Sequence, residues 1–356
     1  MNDQQQGFAN QATFYGDPRS INTDPREQPG YTPPTFNTDP REQPQWQPMP
    51  APIMARPPQQ GRSPWFWMGV SVIILVVIFG GLASAGALLT HTITQTKTFN
   101  VGSRPGLILT NNSGDVHIVS GPAGQITVVA RQRVFISSND PLPVQYTLDS
   151  PGDTLTVSVD NSATFVLFSG SSGVDFDVTV PSQTILNVQA SSGDITAQGV
   201  TGRMSLTTSS GDITTNGGSS QIVLTTSSGD IKASNISGQI NLTTSSGDVT
   251  ATNASASGNS NFQTSSGDIT YRGSLAPNGS ATFSASSGDI DLTLPGNAAF
   301  QIVRASTDSG DITSDFPGVN VVSGGSGAVA SGIVGSAPYA QISLQTSSGD
   351  IHIHQG

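Results

Sequence analysis

From residue 191 onward, apolar and polar positions alternate with a period of two, in short runs broken by the tripeptide Ser-Gly-Asp. In the unit S-S-G-D-I-T-A-Q-G-V-T-G-R-M-S-L-T-T (191–208), Ile195 and Ala197 share one face. Met204, Leu206 and Thr208 share a face in the next run, with Ser205 and Thr207 opposite. Ile213 and Leu224, Ile231 and Leu242, Val249 and Phe262, and Ile269 and Phe283 repeat the arrangement. This alternation predicts half-buried strands. One unit cannot bury its inner face alone. Stacking units about 4.8 Å apart gives every strand two neighbours and makes apolar columns along the axis.

The repeat is read from its aspartates, at 115, 194, 212, 230, 248, 268, 289, 311 and 350. From Asp194 the gaps are 18, 18, 18, 20, 21, 22 and 39 residues. The pattern predicts an all-β, single-stranded β-solenoid of about eight coils over 186–356, roughly 40 Å long at the usual strand spacing. The 39-residue gap reads as two coils, one of them degenerate, in the Gly/Ser-rich Val319 to Pro338. A left-handed helix of hexapeptides would need apolar residues every six positions, and Ile195, Thr201 and Thr207 do not supply them. At each corner Gly accepts positive φ, and Asp and Ser are expected to bond nearby backbone N–H groups as local turns. Residues 98–185 read as an irregular β-rich lead-in that covers the solenoid's end. Its strand runs are 107–118, 125–130, 154–159, 174–180 and 185–188.

Upstream the pattern changes twice. Residues 65–89, Trp65 to Leu89, hold no charge. At about 1.5 Å per residue they are long enough to span a bilayer as one helix, with Trp65 and Trp67 at the interface. Ala83-Ser84-Ala85 resembles a signal-peptide cleavage site, but 64 residues precede the run, and an uncleaved anchor is the expectation. Residues 1–64 are rich in Gln, Pro and Asn and read as a disordered tail. The string N-T-D-P-R-E-Q-P occurs there twice, at Asn22–Pro29 and Asn37–Pro44. It reads as a duplicated linker or as a docking motif for a cytoplasmic partner. Positive-inside counting is close to a tie, Arg56 and Arg62 against Lys97 and Arg104; Arg62 lies nearer the span than Lys97, which leans towards a cytoplasmic N-terminus.

Composition narrows the chemistry. With no Cys among 356 residues, zinc ribbons, disulfide scaffolds and thiol enzymes are excluded. A formal net charge of −11 with only 13 Lys+Arg argues against nucleic-acid binding. Four His are present, and 191–340 has none, so no Ser-His-acid set is expected in the solenoid body. His117 alternates on its strand. His352 and His354 share the outer face of what reads as the last strand, with Asp350 the nearest acid in sequence, and read as solvated residues rather than metal ligands. Stacked corners form a column of Asp194, Asp212, Asp230, Asp248, Asp268, Asp289 and Asp311, to which calcium is one possible answer. Unit charges about 4.8 Å apart in water repel by roughly 0.9 kcal/mol, whereas a charge-assisted hydrogen bond contributes about 1.5–3 kcal/mol. The column therefore needs no cation, and no cofactor is expected. Outer threonine rows (Thr207, Thr225, Thr243; Thr196, Thr214, Thr250) could order water as ice-binding faces do, but they break at Lys232, Gln263 and Asp291.

The lead-in S-G-D-V, then V-P-S-Q-T-I-L-N-V-Q-A-S-S-G-D-I (180–195), then the T-S-S-G-D-I units resemble the bacterial putative-adhesin domain family over 98–356. The resemblance implies an extracytoplasmic β-helix of the cell envelope and supplies no catalytic residues. The expected function is a membrane-anchored, non-catalytic adhesion or envelope-interaction module that holds a glycan or other polymer. The alternatives are an envelope-stress or signalling accessory protein acting through its tail, and a solenoid polysaccharide lyase or hydrolase.

Overall fold

A computed structural model describes residues 90–135, 142–149, 153–159 and 173–356, and all their regular structure is β. Among these residues no helix is long and apolar enough to cross a membrane. The apolar stretch 65–89, the tail and its repeat lie outside the described residues.

Ahead of the regular repeat come β1 (Thr90–Asn100), β2 (Gly106–Ser113), β3 (Val116–Gly121), β4 (Gln125–Phe135), β5 (Val144–Asp149), β6 (Thr154–Val159) and β7 (Val174–Pro181). The regular coils follow as pairs: β8 and β9 (Ile185–Ser192, Ile195–Gln198), β10 and β11 (Met204–Ser210, Ile213–Asn216), and β12 and β13 (Gln221–Ser228, Ile231–Ser234). Next come β14 and β15 (Ser237–Thr243, Val249–Ala256), β16 and β17 (Asn259–Ser266, Ile269–Leu275), and β18 and β19 (Ser280–Ser287, Ile290–Leu294). The chain finishes with β20 and β21 (Phe300–Ser309, Ile312–Ser314), β22 (Val319–Gly324), β23 (Gly327–Val334), and β24 and β25 (Ala340–Ser348, Ile351–Gln355).

Each coil gives one strand to each of two parallel sheets, with the Ser-Gly-Asp corner between them. Sheet A runs β1-β4-β7-β3-β9-β11-β13-β15-β17-β19-β25-β21, and sheet B runs β5-β6-β2-β8-β10-β12-β14-β16-β18-β24-β20-β23-β22. The register follows the repeat: Ile195, Ile213, Ile231, Val249 and Ile269 are lateral partners in sheet A. Leu206, Leu224, Leu242, Phe262 and Phe283 are lateral partners in sheet B. All ten side chains are fully buried. Apolar burial of this kind stabilises by roughly 25 cal/mol per Å², so the two columns carry the core.

The column thickens where it can. Phe262 and Phe283 stack with centroids 4.8 Å apart, and Tyr271 meets both edge-on at 5.1 and 5.4 Å. Tyr271 occupies a sheet A position held by Ala197, Thr215, Ala233 and Ala251 in earlier coils. The first inward column of sheet B shrinks to Ser260 and Ala281 in the same coils. The phenol donates to Ser274 O at 2.6 Å, and burial raises its pKa.

Spatial order departs from chain order at both ends. The β24–β25 coil lies between the β18–β19 coil and the β20–β21 coil, so the last strand in sequence is not the last in space. The degenerate coil expected in 319–338 is instead the antiparallel hairpin of β22 and β23, which pairs with β20 and closes sheet B. Likewise the β2–β3 coil lies between the β6–β7 coil and the β8–β9 coil. The segment expected to be irregular therefore contributes two coils in register with the repeat, capped by antiparallel β1, β4 and β5. The physical reason is the motif itself. Ser113-Gly114-Asp115 offers the same corner as every later unit, and any coil bearing it can stack against any other.

Candidate functional site

The Ser-Gly-Asp corners form one continuous ladder along the solenoid. Asp194 N–H donates to Asp115 Oδ1 (2.9 Å), Asp212 N–H to Asp194 Oδ1 (2.8 Å) and Asp230 N–H to Asp212 Oδ1 (2.8 Å). The pattern continues with Asp248 on Asp230 (3.0 Å), Asp268 on Asp248 (2.9 Å) and Asp289 on Asp268 (2.8 Å). It ends with Asp350 on Asp289 (2.7 Å) and Asp311 on Asp350 (2.8 Å). At the other end Asp115 N–H donates to Asp175 Oδ1 (3.0 Å). The sequence predicts local turns from these side chains. Each carboxylate serves the neighbouring coil instead, because stacking brings the next Asp N–H within reach. Asp311 comes after Asp350 in this order, and Asp115 and Asp175 extend the column beyond the members that the sequence predicts.

Glycine is required at the corner for two reasons. At Gly229 φ is +147°, and an added Cβ would lie 2.1 Å from Gly211 O. The same carbonyls accept a hydrogen bond from inside. Thr208, Thr226, Thr244 and Thr264 donate Oγ1–H to Gly193, Gly211, Gly229 and Gly247 O, at 3.2, 3.0, 3.0 and 2.9 Å. Thr346 and Thr307 repeat this on Gly288 O (3.0 Å) and Gly349 O (2.8 Å). Ala190 breaks the series beside Asn111. Asn111 Nδ2 compensates by donating to both Gly114 O and Val174 O at 2.9 Å, leaving its buried Oδ1 without a partner. Sequence reasoning misses this inner ladder. Its only signal is the recurrence of Thr at every third inward position of sheet B.

The corners are structural devices, and among the described residues no group of three or more His, Asp or Glu converges as a metal site. Asp230 has a lowered pKa. The Asp248 N–H is the main cause, Lys232 at 3.2 Å adds to it, and burial opposes. Lys232 is correspondingly raised, first by its hydrogen bond to Asp230.

His352 and His354 do share the outer face of β25, but β25 is flanked on both sides. His352 sits laterally between Asp291 and Thr313, and its Nδ1 is 2.8 Å from Thr313 Oγ1. His354 Nδ1 is 3.2 Å from Asp315 Oδ2, and the two imidazoles stack with centroids 5.9 Å apart. Asp315 also accepts Gln355 N–H, and these two bonds, the backbone one first, lower its pKa. The acids near this pair are thus Asp291 and Asp315, from neighbouring coils. His117 lies far along the sheet, paired laterally with Thr196 and Asp177.

The outer faces carry rows in strict register. Gln189, Thr207, Thr225, Thr243, Gln263, Ser284 and Gln345 are successive lateral partners on sheet B. On sheet A the row reads Thr196, Thr214, Lys232, Thr250, Thr270 and Asp291. A shallow groove of about 350 Å³ lies at one corner of sheet A, lined by Val119, Ser120, Gln198, Gly199 and Asn216. At the β1 end Phe99 stacks on Tyr146 at 5.8 Å and the Lys97 ammonium lies 4.2 Å over the Tyr146 ring. Burial pushes the Tyr146 phenol up to about 12.

No curated protein matches the chain. Among solved structures it is similar to a putative adhesin from Bacteroides fragilis, at 16% identity and TM-score 0.34, covering 73% of this chain and 96% of that one. It is also similar to a putative cell adhesion protein from Clostridium sporogenes (12%, TM-score 0.26, 74% and 100%). A third is a putative lipid binding protein from Parabacteroides distasonis (13%, TM-score 0.25, 74% and 96%). The Toastrack DUF4097 family model matches residues 154–274 and 276–354, more than half of the chain and nearly the whole corner ladder. By that match the chain belongs to the Toastrack DUF4097 family.

Proposed function

We propose that the chain is a non-catalytic, membrane-anchored surface module that holds a repeating envelope polymer, such as a glycan, along the outside of its solenoid. The observation that carries this reading is the seven-member sheet B row from Gln189 to Gln345, every member a hydroxyl or amide side chain. A row of weak, evenly spaced hydrogen-bonding groups gains from a ligand that repeats, because each added contact is intramolecular once the first is made. The corners, occupied by their own ladder, leave the rows as the surface available to a partner. The anchor is the uncharged stretch 65–89, after which the chain enters β1 at Thr90 without a linker. In this reading residues 1–64 are cytoplasmic and the solenoid is outside.

The test is pelleting of the full chain with cell-wall and surface polysaccharides, alongside a Thr207→Val, Thr225→Val, Thr243→Val triple variant. Retention that strengthens with polymer length and is lost in the variant supports the reading. Absence of retention on every polymer sinks it. A second reading, a signalling accessory, is favoured by the duplicated N-T-D-P-R-E-Q-P string, since repetition suits a docking motif. Pull-down with the tail, with and without one copy of the string, distinguishes it.

A further inference from the structure

Among the described residues the two sheets present four edges, and three are guarded. In sheet A, β1 carries Lys97, and β21 is three residues long between Asp311 and Asp315. In sheet B, β5 follows Pro143 and ends on Asp149. These are devices by which natural sheets resist edge-to-edge pairing. The fourth edge, β22, has none of them. Its sequence is V-N-V-V-S-G, with neither charge nor proline, and five of its six residues are exposed. The whole segment 316–349 contains no Asp, Glu, Lys or Arg, against 18 Asp and seven Lys+Arg in residues 98–356.

Apolar side chains flank this edge. Val322 (65% exposed) and Val329 (53%) are direct partners across the hairpin, and Val303 (62%) and Ile333 (51%) stand nearby on β20 and β23. Val322, Val329 and Val303 line a shallow groove of about 290 Å³.

We infer that β22 pairs antiparallel with β22 of a second copy, joining two solenoids end to end through a continuous sheet B. A strand edge needs backbone donors and acceptors. A lipid surface cannot provide them, whereas another strand can. The copy's own β22 is complementary in the required sense: under a twofold axis the same strand supplies both halves of the ladder. Charge points the same way. The chain has a net charge of −11, so contact between copies is opposed by like charge wherever the Asp ladder takes part. The hairpin segment itself carries no charge, with Arg304 of β20 lining the groove beside it. Under the twofold axis the side chains of β22, Val322 among them, stand beside those of the copy's β22.

The chain has no cysteine, so single-cysteine trapping has a clean background. Asn320→Cys, Val321→Cys, Val322→Cys and Ser323→Cys are made one at a time in the full chain and oxidised. Thr96→Cys on β1 and Ser205→Cys on the middle of sheet B serve as controls. Disulfide dimers should concentrate at one or two β22 positions and be scarce in both controls. The unsubstituted chain should shift from monomer to twice that mass as concentration rises. Val322→Lys, at an exposed position that leaves the fold intact, should lower the dimer fraction about tenfold or more. A chain monomeric throughout, trapping no greater at β22 than at the controls, or a dimer that survives Val322→Lys would each overturn the inference.

Discussion

The backbone N–H of Asp212 donates to the carboxylate of Asp194 at 2.8 Å, across coils rather than within its own turn. Eighteen residues of sequence separate the two, yet the bond is as short as a local one. Each corner aspartate thus fastens its coil to the next.

Removing one rung should therefore cost stability without changing the fold. Asp212→Ala takes away the acceptor of Asp230 N–H and should destabilise by about 1–3 kcal/mol, the usual range for a lost charge-assisted bond. Asp212→Asn keeps an acceptor oxygen and should cost less than half as much. Denaturant unfolding of the two variants checks the order.

The corner glycine should be the least tolerant position. Gly229→Ala must hold an L-residue at φ +147° and place Cβ 2.1 Å from Gly211 O. Backbone strain of about 1–3 kcal/mol adds to the steric shift, and expression or melting should suffer accordingly. Gly324 meets nothing within 4 Å of an added Cβ, so Gly324→Ala should be near neutral.

One substitution should stabilise. Ala285 occupies the inner-ladder column beside Thr264, where a threonine would face Gly267 O as Thr264 faces Gly247 O. Ala285→Thr supplies the missing donor and should add about 1 kcal/mol. Thr244→Val, which deletes the bond to Gly229 O, should cost a similar amount. Thermal melts of both test the pair.

The Asp230–Lys232 pair sets a pH signature. Asp230 titrates lower when folded, so its stabilisation is present above its unfolded pKa of about 3.9 and fades as pH falls through the folded value. Lys232 titrates higher when folded, so its share is present below about 10.4 and fades as pH rises through the folded value. Both side chains are largely in water, and the effects should be small. Lys232→Gln should flatten the alkaline fall of Tm and leave most of the acid fall, which owes more to Asp248 N–H. An alkaline slope unchanged by the substitution would contradict the assignment.

The spacing of Ser-Gly-Asp and the alternation around it make the corners, the two buried columns and the outward rows legible. Thr207, Thr225 and Thr243 face outward in register as their positions imply, and the rows change character at Lys232, Gln263 and Asp291 as the sequence does. The order of coils is not legible. Asp289 bonds to Asp350 and not to Asp311, although Asp311 comes next in the chain. A motif that repeats nearly unchanged specifies register but not which neighbour is adjacent. The hairpin of β22 and β23 is hidden for a related reason: Gly- and Ser-rich alternation fits a weak coil and an antiparallel ribbon equally well. Asn111 carries no signal of its own, because its role emerges only once Ala190 is placed beside it.

Hydrogen exchange resolved at single amides measures the central claim most directly. If the aspartates form an inter-coil ladder, the N–H groups of Asp212, Asp230, Asp248, Asp268 and Asp289 should be protected like the strand amides of Ile213 and Ile231. That protection should be the same with calcium and with chelator. Exchange at the rate of an open turn, or protection that appears only when calcium is added, would contradict it.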